Sequence, residues 1–470
     1  MSGFATICLS VVLSLNVQMN AAPGGRVYMA DGIKIGEVRQ DCAIVWTRLT
    51  RNEERNIRGL AFGEKDEAVP AGHALDGMEG SVPGIAGEVR VVYWPKGPED
   101  RSRATSWRAV DPDADFTRQF KLTGLAAGTR YHLKVEGRLA NATEPTCVLS
   151  GGFETASSVA VPARVAFTVV TCQEYPRRDD PENGHRIYPL MRKLEPDFFV
   201  HTGDIEYYDR PLPLVKSREL ARFKWNRIFA MPFQRDFHKN VASYFMKDDH
   251  DTLKDDCWPG QRYGELTWQQ GLAIFREQVP MEESTYRTVR WGKDLQIWMV
   301  EGRDFRTPNN RPDGPDKTIW GRQQKQWFFQ TVKESDATFR IVISPTPLVG
   351  PDRANKNDSY ANKGFAYEGS ELRKFIGEQK NMYVICGDRH WQYVSVDPKT
   401  GVREYACGPS SDTHAGGFSE SLRTDMHRYL RIKGGFLLVV VERANGEPAI
   451  TFRHYGTDGR TYHEDRLTSQ

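Results

Sequence analysis

The sequence has little that would place it in a specialised class of protein. Its 470 residues carry a formal net charge of only +2, and Lys and Arg alternate with Asp and Glu, so no basic stripe of the kind that binds nucleic acid is present. It contains no internal repeat, no low-complexity tract and no Cys-x-x-Cys pair, which excludes a zinc knuckle and a thioredoxin motif. The lack of Gly-x-Ser-x-Gly disfavours a serine hydrolase.

Long apolar runs are also missing, except for one at the start of the chain. Residues 4–17 read FATICLSVVLSLNV, which has the length of the apolar region of a signal peptide, and Ala21 and Ala22 offer small residues for cleavage. The run is shorter than the roughly 20 residues that span a bilayer. No Lys or Arg precedes it, and a buried strand of the first domain is the alternative. We predict a signal peptide over residues 1–22 and a secreted or periplasmic protein.

Cysteine is scarce, with seven residues in the whole chain, the first of them inside the predicted signal peptide. Cys42 and Cys147 lie in the same N-terminal region and are candidates for a disulfide in an oxidising compartment. We assign Cys257, Cys386 and Cys407 to packing or to a disulfide.

The first part of the mature chain, residues 25–155, is predicted to be a small all-β domain. Turn residues separate short β-branched or aromatic runs at 27–29, 42–46, 89–93 and 131–135. The stretch 120–131 resembles the corner before the tyrosine of a fibronectin type III or Ig-like sandwich. We expect this domain to be a spacer or cap without a catalytic role.

The remainder, residues 160–470, is predicted to be an α/β domain. Continuous apolar runs, typical of strands buried on both faces, occur at 165–170, 197–200, 295–300, 339–343 and 382–385. Helix-like stretches lie between them at 216–230, 264–278, 321–334 and 369–378. Polar residues follow the ends of the strands, which is where open α/β sheets bind ligands.

Four clusters of potential metal ligands follow apolar runs in this domain. They are Cys172, the stretch 203–207 (GDIEY), the stretch 247–251 (KDDHD) with 255–256 (DD), and the stretch 387–390 (GDRH). Phosphoryl transfer needs cations that clamp the charged oxygens and a hydroxide that is available near neutral pH, and two metal ions provide both. Asp204, presented by a glycine turn directly after a buried strand, is the predicted bridge between the two ions.

The clusters resemble, in order, the sequence blocks of the calcineurin-like metallophosphoesterases. Those blocks are Asp-x-His, Gly-Asp-x-x-Asp/Tyr, Gly-Asn-His-Asp/Glu and Gly-His-x-His. Here Thr171-Cys172 replaces the first block, 248–251 is Asp-Asp-His-Asp, and 387–390 is Gly-Asp-Arg-His. These departures look like the PhoD-like alkaline phosphatase family, which also has a small β-domain before the catalytic one. The resemblance implies a metallophosphoesterase-type β-sandwich core flanked by helices and a dinuclear phosphoesterase.

The same resemblance implies the metal ligands, residue by residue. A ferric ion is expected at Cys172, Asp204, Tyr207 and His390, and thiolate and phenolate ligands independently favour Fe³⁺. A divalent ion, calcium in the family, is expected near Asp204, Asp249 and Asp388, in agreement with the preference of hard cations for carboxylates. We add Asp255 to this second set; it stands where the family has a neutral amide, and its extra charge would tighten a divalent cation or shift substrate preference.

Substrate contacts are predicted at His250, Arg389 and Arg303. His250 follows the third block and is a phosphate contact or the proton donor to the leaving alkoxide, with metal-bound hydroxide as the attacking group. Arg303 or Arg306 suits bidentate phosphate binding, and a structural ion pair is the alternative for either. His201 and His414 are candidates for contacts with a ligand residue or with substrate.

The leading hypothesis is therefore the hydrolysis of a small-molecule or lipid phosphate ester. Alternatives are a phospholipase-D-like phosphodiesterase, a purple acid phosphatase-like enzyme and a non-catalytic protein that binds an anionic polymer. A cysteine hydrolase is disfavoured because Cys172 has no histidine partner beyond those assigned to metal. We expect a monomer without a nucleic-acid partner, and this substrate class leaves peripheral membrane contact open.

Overall fold

The computed structural model describes residues 25–353 and 355–470. The signal peptide predicted over 1–22 lies outside the described residues, so it and the export that it implies stay predictions. Within the described part of the chain, no helix is long and apolar enough to cross a membrane.

The described residues are rich in strands and contain few helices. The strands are β1 (Ile33–Gly36), β2 (Cys42–Arg48), β3 (Glu88–Pro95), β4 (Arg103–Ala104), β5 (Arg108–Ala109), β6 (Thr117–Thr123), β7 (Arg130–Arg138), β8 (Cys147–Glu154), β9 (Val165–Val170), β10 (Phe198–His201), β11 (Ala242–Phe245), β12 (Arg262–Tyr263), β13 (Leu266–Thr267), β14 (Arg287–Trp291), β15 (Leu295–Met299), β16 (Phe339–Ser344), β17 (Met382–Cys386), β18 (Gln392–Val396), β19 (Arg403–Cys407), β20 (His427–Arg431), β21 (Gly435–Ala444), β22 (Glu447–Gly456) and β23 (Thr461–Thr468). The α-helices are α1 (Ile187–Lys193), α2 (Arg218–Phe229), α3 (Pro232–His238), α4 (Trp268–Gln278), α5 (Gly321–Glu334) and α6 (Ala366–Gly377).

Two large sheets form the body of the molecule. One has the order β23-β22-β21-β9-β10-β11-β1-β2-β6 and the other the order β14-β15-β16-β17-β19-β18-β20. Their inner faces share one hydrophobic core, which includes Phe167 and Val169 of the first sheet and Ile297 and Ile341 of the second. The molecule is thus a β-sandwich.

Helices cover the outer faces of this sandwich. Helices α5 and α6 bury Phe328 and Leu372 against Val342 of β16, and α1 and α3 bury Tyr188 and Phe237 against the nine-stranded sheet. The predicted fold class, a metallophosphoesterase-type sandwich flanked by helices with an all-β part in front, is confirmed by this arrangement and by the fold comparison given below. The predicted helices and inner strands are also present, with bounds that differ by at most four residues.

Strand β9 explains why a continuous apolar run becomes a two-sided buried strand. All six of its residues are buried. Since side chains alternate across a strand, Phe167 and Val169 enter the inner core while Val170 packs beneath α1 and α3. β9, β10 and β11 pair in parallel. Parallel pairing brings the carboxyl ends of these three strands, and the residues that follow them, to one edge of the sheet.

The strands before residue 155 belong to two different sheets. β3, β4, β5, β7 and β8 form a separate five-stranded sheet, in which Tyr131 accepts a hydrogen bond from the Ala126 N–H at 2.9 Å, as in a tyrosine corner. β1, β2 and β6 instead extend the nine-stranded sheet, where β1 pairs in parallel with β11. The predicted domain bounds of 25–155 and 160–470 stay a prediction, but three strands of the first unit are built into the sheet of the second. The run at 27–29 makes only an isolated bridge, from Tyr28 to Thr50.

The described cysteines are all free thiols. Cys42 is buried in β2, and Cys147 begins β8 in the five-stranded sheet. The hypothesis of a disulfide between them is therefore wrong. Cys257, Cys386 and Cys407 are fully buried, which agrees with the packing role and not with a disulfide.

Candidate metal centre

Four strand ends bring the candidate ligands to one end of the sandwich. Cys172 follows β9, Asp204 follows β10, the segment 248–251 follows β11, and residues 388–390 follow β17 of the other sheet. The Asp388 N–H donates to Thr171 Oγ1 at 3.1 Å. This bond ties the end of β17 to the end of β9, so the two sheets meet at the site.

The ligand atoms fall into four overlapping groups, in each of which one atom per residue lies within 4.8 Å of the others. The groups are Cys172 with Asp204 and His390, Asp204 with Asp248 and Asp388, Asp204 with Asp249 and His250, and Asp249 with Asp255 and Asp256. Asp204 belongs to three of the four groups. It therefore has the central place that a bridging carboxylate needs.

Three residues of the site share a backbone conformation that is costly for any residue except glycine. Cys172, Asp204 and Asp388 each have a left-handed conformation, with φ of 50°, 56° and 61°. Such residues are costly outside glycine and concentrate at functional sites. Gly203 precedes Asp204 with φ of 113°, and a Cβ there would lie 2.7 Å from the Asp248 amide nitrogen. Only glycine allows the turn after β10 to approach the turn after β11 so closely.

Three of the four residues predicted to bind iron meet at one carboxylate oxygen of Asp204, and the fourth, His390, contacts Tyr207. Cys172 Sγ donates to Asp204 Oδ2 at 3.5 Å, and Tyr207 Oη donates to the same oxygen at 3.2 Å. Tyr207 Oη also lies 3.3 Å from His390 Nε2. Thiol, carboxylate, phenol and imidazole thus meet at one point, although the sequence spreads them over more than 200 residues.

His250 packs beside Tyr207 and has a carboxylate near each of its ring nitrogens. Its Nδ1 is 2.5 Å from Asp209 Oδ1, and its Nε2 is 3.6 Å from Asp255 Oδ1. Its ring packs on the Tyr207 ring with a centroid distance of 4.2 Å. The Asp209 carboxylate fixes Nδ1 as a donor, so Nε2 is the ring nitrogen that has no hydrogen bond within the described residues.

The two predicted phosphate-binding arginines are fully buried in ion pairs with carboxylates of the site. Arg303 contacts Asp248 through Nε and Asp249 through Nη2, the latter at 3.3 Å. Arg389 donates to Asp352 at 2.8 Å and to Asp388 at 2.5 Å. These contacts match the ion-pair alternative, and phosphate binding by either arginine stays a prediction.

Arg306, the alternative to Arg303 for phosphate binding, also makes its contacts within the protein. Its guanidinium donates to the Gly302 carbonyl at 3.0 Å and to the Asn309 side chain at 3.2 Å.

Asp255 occupies the rim of the site. Its side chain is 56% exposed, whereas that of Asp249 is only 5% exposed. Lys356 pairs with Asp255 at 3.6 Å and with Asp256 at 3.1 Å. The predicted role of Asp255 as a metal ligand stays a prediction, supported by its group with Asp249 and Asp256.

His414 and His201 differ in their relation to the site. His414 packs against His390 and Tyr207 with centroid distances of 4.3 and 5.1 Å, and its Nδ1 donates to the Cys172 carbonyl at 3.0 Å. His201 lies behind the turn, where its Nδ1 accepts from the Gly203 N–H at 3.3 Å.

The electrostatics of the site favour a bound cation. Burial, with the carboxylates of Asp204 and Asp388, raises the pKa of the Cys172 thiol well above its ordinary value. Burial and the Asp204 carboxylate likewise raise the pKa of Tyr207. Burial raises the pKa of Asp204 itself well above that of an exposed carboxyl. The charged forms of these side chains are therefore unstable without a positive charge beside them.

The pKa of His250 moves the other way. Burial alone would lower the pKa, but the neighbouring carboxylates of Asp249, Asp204 and Asp209 outweigh it and raise the pKa well above the ordinary value. Asp209 lies outside the ligand groups, and its carboxylate suits His250 to donate a hydrogen bond or a proton to an anionic oxygen.

Sequence reasoning missed two residues of the site. Asp248 lies within the third block but was not predicted as a ligand, although its Oδ2 is buried without a hydrogen-bond partner. Asp209, five residues after Asp204, was not singled out at all. Its only sequence signal is its position just beyond the second block, because its contact with His250 forms through tertiary structure.

A sandwich of two mixed sheets, with these side chains at the strand ends, defines the class: a metallophosphoesterase-type hydrolase. Two family models match the chain: "PhoD-like phosphatase" over residues 167–429 and "PhoD-like phosphatase, N-terminal domain" over residues 16–157. The chain belongs to the PhoD-like phosphatase family and is a phosphoesterase. The family resemblance inferred from the sequence is confirmed. No curated protein matches the chain by sequence.

Two solved structures share the fold. A structure of PhoD superposes with a TM-score of 0.71 at 15% identity, covering 94% of this chain and 89% of its own. The purple acid phosphatase PPD1 from yellow lupin (Lupinus luteus) seeds has a TM-score of 0.63 at 12% identity, covering 93% and 74%. At these identities the similarity establishes the fold alone.

Proposed function

We propose that the protein hydrolyses small phosphate esters at a dinuclear metal centre bridged by Asp204. One observation carries this proposal: Asp204 belongs to three ligand groups, and in each group its partners are different residues. One group adds a thiol and an imidazole, and the other two add carboxylates and a second imidazole. A single carboxylate between two unlike donor sets is what two unlike ions require.

The donor chemistry fits the predicted ions. Cys172, Asp204, Tyr207 and His390 would hold Fe³⁺, since thiolate and phenolate are ligands that this ion favours. The carboxylates would hold a hard divalent cation such as Ca²⁺: Asp204, Asp248, Asp249 and Asp388, with Asp255 at the rim.

Two orphaned atoms support the fit. Asp204 Oδ1 and Asp248 Oδ2 are buried and have no hydrogen-bond partner. A buried carboxylate oxygen without a partner is costly, and a cation would satisfy both oxygens at once.

The protein's own residues supply the remaining requirements of the reaction. When bound, the two ions offset the charge of the phosphoryl oxygens and lower the pKa of a water. Arg303 and Arg389 orient the carboxylates of Asp248 and Asp388. His250, with Asp209 on Nδ1, presents Nε2 to the ester and can donate a proton to the leaving oxygen.

Metal analysis combined with spectroscopy tests this proposal. Purified protein should contain iron and a divalent ion, absorb visible light through the phenolate and thiolate, and hydrolyse aryl phosphates. The Tyr207→Phe variant should lose most of the visible band. Tyr208→Phe is the matched control, because Tyr208 is equally buried but its hydroxyl accepts from Trp225 Nε1 at 2.6 Å, away from the ligand groups. A colourless, iron-free preparation with full activity would refute the proposed iron site.

A further inference from the structure

A carboxylate lies beside the ring nitrogen of His250 that Asp209 does not occupy. Since Asp209 occupies Nδ1 at 2.5 Å, Nε2 is the nitrogen that can reach a phosphate. Asp255 Oδ1 lies 3.6 Å from that nitrogen, on a side chain that is 56% exposed. A phosphate group in contact with His250 would therefore lie within a few ångström of the Asp255 carboxylate.

A hydrogen bond to Asp209 fixes the backbone of residue 255 beside His250. The Asp255 N–H donates to Asp209 Oδ2 at 2.7 Å, so one aspartate orients both the His250 ring and the residue that faces its other nitrogen. Lys356 offsets part of the negative charge, but it is shared with Asp256, which is the nearer partner at 3.1 Å against 3.6 Å. Two carboxylates against one ammonium leave these three side chains with a net negative charge.

A net negative charge distinguishes two kinds of ester. Above its second pKa of about 6, a phosphate monoester carries nearly two negative charges, whereas a diester carries one. A carboxylate beside the binding position repels the dianion about twice as strongly as the monoanion. Because the Asp255 side chain is 56% exposed, solvent weakens this repulsion without abolishing it.

We propose that Asp255 is a specificity-determining residue that disfavours dianionic phosphate monoesters relative to monoanionic diesters. The inference rests on the proposed phosphoesterase function and adds the residue that sets the balance between these two substrate classes.

The Asp255→Asn variant tests this inference. Asparagine retains the shape and one oxygen that can contact a cation, and removes only the charge. With aryl phosphate monoester and diester substrates that share one leaving group, at a pH above 7.5, the variant should raise the monoester-to-diester ratio of kcat/KM about three- to tenfold.

Two further variants sharpen the result. Lys356→Met removes the cation that offsets Asp255 and should lower the same ratio. Asp236→Asn is the matched control: Asp236 is 60% exposed and pairs with Lys239 at 3.0 Å, much as Asp255 pairs with Lys356, but it lies on α3. It should leave the ratio unchanged.

The outcomes separate this inference from the function beneath it. An unchanged or lowered ratio in Asp255→Asn, or an equal loss of both activities, overturns the role of Asp255 while the wild-type enzyme still hydrolyses esters. If the wild-type protein binds metal but hydrolyses neither ester, the proposed function itself is refuted. The metal content of each variant shows whether a change in the ratio accompanies the loss of an ion. If the monoester-to-diester ratio rises only in protein that has lost metal, the inference is also overturned.

Discussion

At the scale of single residues, the site combines side chains that are unfavourable in isolation. Cys172, Tyr207 and Asp204 are buried together, and each has a pKa raised by burial and by its neighbours. A fold retains such a cluster only if something compensates its cost. In the proposed function, bound cations would be that compensation, so stability and activity should both depend on metal.

His250 should act through its proton. Replacing Asp209 with Ala removes the partner of Nδ1, so we expect kcat to fall about 10- to 100-fold with a smaller change in KM. The loss should be larger for alkyl phosphates than for nitrophenyl phosphates, because a poor leaving group needs the proton more. Steady-state kinetics with both substrates checks this. An equal loss for both would show that Asp209 supports the structure and not proton transfer.

Arg303 distinguishes an ion-pair role from phosphate binding. Its guanidinium is buried between Asp248 and Asp249, so Arg303→Met should leave buried carboxylates unpaired and lower the free energy of unfolding by about 3–5 kcal/mol. Urea denaturation of the metal-depleted protein measures this. Unchanged stability with a raised KM would instead support the predicted substrate contact.

The sequence predicted most of the ligand residues that lie in recognisable blocks, with Asp248 the exception, and missed Asp209, which only tertiary contact recruits. Cys172, Asp204, Tyr207, Asp388 and His390 each follow an apolar run, and the structure brings them together. Asp209 has no such mark, since its role depends on where the His250 ring points. For the same reason, sequence could not decide whether Arg303 faces substrate or its own neighbours.

At the scale of elements, strands buried on both faces were predictable and their partners were not. The run at 165–170 has no polar interruption except Thr168 and became β9. The parallel pairing of β1 with β11 joins Gly36 to Ser243, and no local pattern reports a contact between residues so far apart in the chain.

Asp197, which directly precedes β10, should make the free energy of unfolding depend on pH. Burial raises the pKa of Asp197 from 3.8 to about 6, although its carboxylate accepts the Ala166 N–H at 2.7 Å. A carboxyl whose folded pKa exceeds its unfolded value stabilises the fold below the unfolded pKa, and this contribution is lost as pH rises through the folded pKa. That window runs from about pH 4 to about pH 6.

Asp197→Asn should remove this dependence. Relative to wild type, the variant should gain about 1–3 kcal/mol between pH 4 and pH 7. Denaturant unfolding at the two pH values measures the difference, with the exposed Asp236→Asn variant as control. A variant whose stability changes in parallel with wild type over this range would contradict the assignment.

At the scale of the whole molecule, the N-terminal segment is part of the catalytic sandwich. β1, β2 and β6 continue the nine-stranded sheet beyond β11. Glu37, which follows β1, is fully buried and pairs with Arg287 of β14 at 2.6 Å, so the segment also reaches the second sheet. The predicted spacer or cap is thus also a structural partner of the catalytic sheet.

A chain that begins at residue 160 should therefore not fold by itself. Without β1, the hydrogen-bonding edge of β11 and the buried Arg287 lose their partners, each of which is costly. We expect an insoluble or uncooperatively melting product by circular dichroism, compared with the chain from residue 25. A soluble, cooperatively folded and active product would show two independent domains.

The central claim is that one carboxylate, Asp204, joins two metal ions that together hydrolyse phosphate esters. The most direct measurement is hydrolysis of an aryl phosphate by wild type and Asp204→Asn, each assayed as purified, after chelation and after metal is returned. We predict activity in wild type that chelation abolishes and metal restores, and at least a thousandfold loss, on the order expected for a two-metal site, in Asp204→Asn under every condition. Full activity of Asp204→Asn would place the reaction centre elsewhere.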